Sequence, residues 1–60
     1  MKMPKPSNNI HQLLEWLNVY VEKYPRVKKL SDRYQVYFGE RKSKYFIKEN
    51  DGVYTLYKGR

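Results

Sequence analysis

The sequence predicts an α+β domain, in which one N-terminal amphipathic helix packs on a three-stranded antiparallel β-meander. Two periodicities carry this prediction. Apolar residues recur with helical spacing between Ile10 and Tyr24, and they alternate with polar residues from Arg33 to Lys58. Turn residues divide the alternating part into short runs, which indicates hairpins rather than one long strand.

The chain begins with residues 1–8, which we expect to be a flexible tail, and continues as a single small domain over residues 9–60. Two prolines disfavour both helix and sheet in the tail. Asn9 is the expected helix N-cap, with the side chain of Gln12 reaching back to it in a capping box. Either of the two residues before Asn9 could cap the helix instead.

The helix is expected over residues 10–23, because Pro25 disfavours helical geometry at the residue before it. A stripe about 100° wide is expected to face the sheet. It holds Ile10, Leu13, Leu14, Leu17, Val21 and Tyr24. Trp16 and Tyr20 lie on one flank of this stripe, as the edge of the core or as an exposed aromatic ridge. The core edge is favoured, because a small core needs large side chains.

The segment from Arg26 to Leu30 allows three interpretations, namely a short edge strand near Val27, a linker, or one turn of a second helix. A recognition helix over residues 27–34 would make the chain a helix-turn-helix protein. The alternation that begins at Arg33 leaves such a helix only about eight residues, which speaks against it.

Two turns separate the three expected strands, at Gly39-Glu40-Arg41 and at Asn50-Asp51-Gly52. If Asp51-Gly52 is a two-residue turn, Leu56 faces the helix; a three-residue loop would turn it outward. The first register is favoured because it buries Leu56. The helix-facing set is then Tyr34, Val36, Phe38, Tyr45, Ile47, Tyr54 and Leu56. The opposite side of the sheet, the outer face, holds Arg33, Gln35, Tyr37, Lys44, Phe46, Lys48, Thr55 and Tyr57.

The composition of the 60 residues excludes several classes of protein. There is no cysteine, so neither a disulfide nor a thiolate zinc site is expected, and a cytoplasmic location fits. No apolar run approaches the roughly 20 residues of a membrane helix, so no membrane partner is expected. Thirteen Lys and Arg against six Asp and Glu give a net charge of +7, nearly all of it in the second half of the chain.

On the predicted outer face, three aromatic rings are neighbours across the strands: Tyr37, Phe46 and Tyr57. Arg33, Lys44 and Lys48 surround them. Rings flanked by cations suit single-stranded nucleic acid, since bases stack on the rings and lysines neutralise phosphates. The layout is similar to the sheet platforms of RNA-recognition and cold-shock domains, although their signature segments are absent.

Double-stranded DNA is an alternative ligand, because a small sheet can enter the major groove. Arg33, Arg41 and Lys42 near the first hairpin would then hold phosphates. The same residues also have a simpler explanation, since aromatic residues favour strands and lysine protects sheets from edge-to-edge pairing.

Catalysis is not expected. His11 and Glu15 lie four residues apart on the helix, where such a pair is usually solvated, and no third ligand or relay group accompanies it. We therefore expect no catalytic residue, no metal and no cofactor.

The sequence thus predicts a small basic, non-enzymatic protein that binds nucleic acid or modulates transcription through its outer face. The alternative is a protein-interaction module, such as a phage-type small regulator or inhibitor that binds a larger host protein. Trp16 and Tyr20 would form its interface or a homodimer contact, because aromatic residues dominate interface hot spots.

Overall fold

The computed structural model describes residues 2–59, so that Met1 and Arg60, the outer ends of the predicted tail and domain, lie outside it. The elements are α1 (Ile10–Tyr20), β1 (Pro25–Lys29), β2 (Tyr34–Phe38), β3 (Arg41–Asn50) and β4 (Val53–Lys58). The strands form one antiparallel four-stranded sheet in the order β1-β2-β3-β4. The α+β class is confirmed, with the optional fourth strand present at β1. The helix-turn-helix alternative is wrong, because β1 occupies the place of its second helix.

The N-terminus of α1 is capped by Asn9, as predicted. Its Oδ1 accepts a hydrogen bond from the N–H of His11 at 3.0 Å. The capping box is wrong, because Gln12 Oε1 accepts a hydrogen bond from the Ser7 hydroxyl at 2.6 Å instead. Ser7 Oγ in turn accepts from the backbone N–H of Asn9 at 3.0 Å. Ser7 therefore satisfies the donor that the Gln12 amide was expected to reach.

The C-terminus of α1 lies at Tyr20, before the predicted end at Lys23. The N–H of Glu22 donates to the carbonyl of Leu17 at 3.0 Å, which closes the helix with a wider turn. Pairing of β1 already begins at Pro25. The chain must therefore reverse direction within residues 21–24, which leaves no room for a further helical turn.

Tyr24 was predicted to complete the apolar stripe of the helix, and this is wrong. Its side chain is 75% exposed and its φ is +62°, in the left-handed region. The N–H of Tyr24 donates a hydrogen bond to Asn18 Oδ1 at 3.3 Å, and the carbonyl of Tyr24 accepts one from the N–H of Gly39 at 3.0 Å. These two bonds hold Tyr24 in a conformation that non-glycine residues rarely adopt.

The two tight hairpins have two-residue turns that their sequences specify. In the β3–β4 hairpin Asn50 pairs with Val53, and both Asp51 (φ +53°) and Gly52 (φ +80°) are left-handed, as a type I′ turn requires. In the β2–β3 hairpin Gly39 has φ +64° at the first central position, as in a type II′ turn. The turn is Gly39-Glu40, and Arg41, which the sequence predicts as its third residue, already belongs to β3.

The core lies between α1 and the inner face of the sheet. Its buried members are Leu13, Leu17, Val36, Phe38, Ile47 and Leu56. Ile47 lies opposite Leu56, which confirms the favoured register. Trp16 is half-buried against this core, together with the three tyrosines of the predicted helix-facing set. The backbone of α1 comes closest to the edge strands β1 and β4, so the sheet curves around the helix.

A bulge interrupts the pairing of β2 with β3. Gln35 pairs with Phe46 and Tyr37 pairs with Lys42, so that residues 43–45 of β3 lie opposite one residue of β2. Because β3 gains an even number of residues, the alternation of inward and outward side chains is the same on both sides of the bulge.

Gln35 fills this bulge. It belongs to the predicted outer face, yet its side chain is only 2% exposed. Its Nε2 lies 3.0 Å from the carbonyl oxygen of Val36, 2.7 Å from that of Ser43 and 3.2 Å from that of Tyr45. Ser43 Oγ also donates to the Val36 carbonyl at 2.7 Å. The two polar side chains thus satisfy the carbonyl groups that the bulge removes from the ladder.

The tail pairs with the sheet through the backbone of Ser7. Ser7 forms an antiparallel bridge with Tyr54, with N–H···O distances of 2.9 Å and 2.6 Å. This bridge lies on the edge of β4 and places the cap of α1 against the sheet.

Candidate nucleic-acid interface

Two rows of side chains cross the central part of the outer face. The register places Lys28, Gln35, Phe46 and Tyr57 in one row. The second row consists of Arg26, Tyr37 and Lys42. Neither row contains a carboxylate, so cations and rings are the only functional groups that these rows present besides the buried Gln35 amide.

One end of the outer face carries what we call the Phe46 cluster, made of Arg33, Phe46, Lys48 and Tyr57. The rings of Phe46 and Tyr57 stack with centroids 5.6 Å apart and an interplanar angle of 23°. The Arg33 guanidinium carbon lies 4.6 Å from the Phe46 centroid, and Lys48 Nζ lies 5.7 Å from that of Tyr57. Two of the three rings predicted to bind bases therefore contact each other and two cations of the same chain.

Arg33 holds the Phe46 cluster together. Its Nη1 donates a hydrogen bond to the Tyr57 hydroxyl at 3.3 Å, and its Nε lies 3.7 Å from the Asp32 carboxylate. The hydrogen bond and the electrostatic interaction with Tyr57 raise the pKa of Arg33 above its ordinary value, with a smaller contribution from Asp32. Like any arginine side chain, the guanidinium is a permanent positive charge, and here it lies on the outer face.

The Phe46 cluster is closed on one further side by Gly59. The N–H of Gly59 donates to the Lys44 carbonyl at 2.6 Å, which holds the chain after β4 against β3. A Cβ at Gly59 would lie 2.5 Å from the ring of Phe46, so a larger residue at this position would have to displace the ring.

Tyr37 lies apart from the Phe46 cluster, beyond the bulge. It pairs with Arg26 of β1 and Lys42 of β3, and with Arg26, Val27 and Lys28 it lines a shallow depression. Among residues 2–59 no other ring stacks on it and no cation lies over it. The structure therefore brings Phe46 and Tyr57 together but leaves Tyr37 separate.

Two predicted site residues lie away from these groups. Arg41 is opposite Phe38, on the helix side of the sheet, and forms an ion pair with Glu22. Lys44 is exposed within the bulge, where its carbonyl accepts the hydrogen bond from Gly59. Lys42 faces outward beside Tyr37, close to the β2–β3 turn for which the sequence predicts phosphate-binding cations.

Sequence reasoning missed Arg26 and Lys28 as members of the outer face. Both residues alternate with Val27, but the sequence alone allows a strand, a linker or a helical turn for this segment. Val27 pairs with Val36 and turns inward, which directs its two basic neighbours outward.

A second exposed group lies on α1, at a distance from the outer face. Trp16 and Tyr20 contact each other with ring centroids 5.3 Å apart, and Tyr20 and Val19 are 60% and 65% exposed. Together with Gln12 and Glu15 they line a shallow depression. The expected core edge is correct for Trp16, whereas Tyr20 forms an exposed ridge.

His11 and Glu15 are both exposed. Within the described residues, no group of three or more acidic, histidine or cysteine side chains could hold a metal ion. In the same part of the chain, α1 is neither long nor apolar enough to cross a membrane.

In comparisons with known proteins, no family model, no curated protein and no solved structure gives a match to this chain.

Proposed function

We propose that the protein binds nucleic acid through its outer face and acts without catalysis, for example as a small regulator of transcription. The observation that supports this most strongly is the pairing of Arg26, Tyr37 and Lys42 in one row, next to a second row that begins with Lys28 and contains Phe46 and Tyr57. Rings and cations on one surface are the groups that contact bases and phosphates.

The charge distribution supports the same proposal. The chain carries a net charge of +7, and the outward positions of the strands contribute cations but no carboxylate. A surface of one sign attracts a polyanion from a distance and gains free energy when condensed counterions leave the phosphates.

The test is a double charge reversal on the outer face, Lys42→Glu with Lys48→Glu. Both residues face outward, at opposite ends of β3. Loss of two phosphate contacts lowers the affinity for a single-stranded oligonucleotide and makes the slope of log K against log salt shallower by about 1.4. Fluorescence anisotropy between about 50 and 200 mM salt measures both quantities.

The matched control reverses two exposed lysines that lie outside the helix and the strands, Lys5→Glu with Lys23→Glu. It changes the net charge by the same amount, so a contribution from net charge alone affects both variants equally. If the two variants lose the same affinity, or if the wild-type protein binds no oligonucleotide at low salt, the outer face is not a nucleic-acid site.

The exposed ridge on α1 favours a second candidate function, docking on a partner protein. An aromatic pair beside an exposed valine is the kind of surface that anchors protein interfaces. Such binding persists at about 0.5 M salt, where contacts between exposed charges are screened. It also requires the exposed ring of Tyr20, so the variant Tyr20→Ala, which leaves Trp16 packed on the core, separates the two functions.

A further inference from the structure

We propose that the ligand of the outer face is single-stranded nucleic acid, with an unpaired base stacked on Tyr37. The Phe46 cluster, whose rings and cations contact one another, covers one end of the sheet and does not bind the base. This inference rests on the proposed function and adds to it the kind of strand and the ring that holds the base.

Both rings of the Phe46 cluster already contact other side chains of the same chain. A base that stacked on Phe46 would have to displace Arg33 from a position 4.6 Å from the ring centroid and break its hydrogen bond to Tyr57. It would also have to separate the stacked rings or move the chain at Gly59. Each of these changes costs free energy, so the net free energy gained by stacking a base on Phe46 is reduced.

Tyr37 has none of these partners and lies in more suitable surroundings. The Cα atom of Tyr37 has that of Arg26 on one side and that of Lys42 on the other, each about one strand spacing, roughly 4.8 Å, away. Lys28 completes the depression next to the ring. Along a strand, each nucleoside has one phosphate on its 5′ side and one on its 3′ side. The sheet offers one basic residue on each side of the Tyr37 ring, so both phosphates can meet a cation.

The same arrangement selects an unpaired base. In a duplex both faces of every internal base are covered by its neighbours, so a ring at the sheet surface gains stacking only with a base that is free. Duplex DNA could meet the cations of the outer face but would leave Tyr37 without a base to contact. We therefore expect the ring of Tyr37 to determine the preference for single strands.

The test compares Tyr37→Leu with Tyr37→Phe, and uses Tyr20→Leu as a control that removes an exposed tyrosine from α1. Each variant is titrated with a labelled single strand of about ten nucleotides and with the corresponding duplex. Circular dichroism establishes that each variant is folded. Loss of one stacked base predicts that Tyr37→Leu weakens single-strand binding about five- to hundredfold. Tyr37→Phe and Tyr20→Leu stay close to the wild-type affinity.

Two further readouts separate stacking from phosphate contact. The salt dependence of Tyr37→Leu stays that of the wild type, because no phosphate contact is lost, and its duplex affinity is unchanged. If Tyr37→Leu binds the single strand normally and Phe46→Leu does not, the base stacks on the Phe46 cluster and the inference is wrong. Nucleic-acid binding survives that result, whereas failure of the wild type to bind either strand overturns the proposed function together with the inference.

Discussion

At the scale of single residues, Gln35 best shows how a polar side chain can act as part of the core. Its amide has two N–H donors, and three carbonyl oxygens lie within 3.2 Å of its nitrogen. These carbonyls belong to the bulge between β2 and β3, where the regular ladder provides no donor for them. Gln35 therefore stabilises the bulge and, through it, the separation of Tyr37 from the Phe46 cluster.

Replacing Gln35 by leucine leaves buried carbonyl groups without a donor. We expect the free energy of unfolding to fall by about 2 kcal/mol, as measured by urea denaturation. Gln35→Glu is expected to be more destabilising, because its carboxylate would face the same carbonyl oxygens. The exposed residue Thr55 supplies the control, Thr55→Val. If Gln35→Leu unfolds at the same urea concentration as the wild type, the amide does not support the bulge.

At the scale of elements, α1 depends on its N-terminal cap more than a longer helix would. The helix has only 11 residues, no acidic residue in its first turn and no basic residue in its last turn. Favourable interactions with the helix dipole are therefore absent, and the cap supplies the local stabilisation. Asn9, Ser7 and Gln12 form one connected network that also lies beside the bridge to β4.

The cap is tested by Asn9→Ala, with Asn8→Ala as the control at the adjacent exposed position. Loss of the hydrogen bond to the N–H of His11 lowers the free energy of unfolding by about 1 kcal/mol, and the control changes it little. Thermal denaturation followed by circular dichroism measures the difference. Equal effects of the two substitutions would show that Asn9 is not the cap.

At the scale of the whole molecule, the chain separates an apolar inner face from a basic outer face. Alternation was sufficient to predict this division: Val36 and Ile47 are fully buried, while Tyr37 and Phe46 are half-buried on the opposite side. The Asp51-Gly52 turn set the register of the last hairpin as expected. The two sides of the sheet were thus predictable from local pattern and turn chemistry.

What the sequence did not reveal depends on contacts between distant segments. The bulge lies where Gln35 of β2 forms a hydrogen bond with the carbonyl of Ser43 in the adjacent strand β3. Neither residue, taken alone, predicts a bulge. The early end of α1 and the exposed Tyr24 follow from the pairing of Pro25 with Phe38 in β2. The strand β1 also depends on its pairing with β2, so the sequence alone does not distinguish it from a linker or a helical turn. Its two outward cations, Arg26 and Lys28, are therefore missing from the predicted site.

We propose that the outer face, and not the helix, contacts nucleic acid. Amide NMR shifts of isotope-labelled protein, recorded while a single-stranded oligonucleotide is added, test this directly. The largest changes are expected at Arg26, Tyr37 and Lys42, with smaller ones around Phe46 and almost none at Val19. Changes concentrated at Trp16 and Val19, with the strands unaffected, would contradict the account.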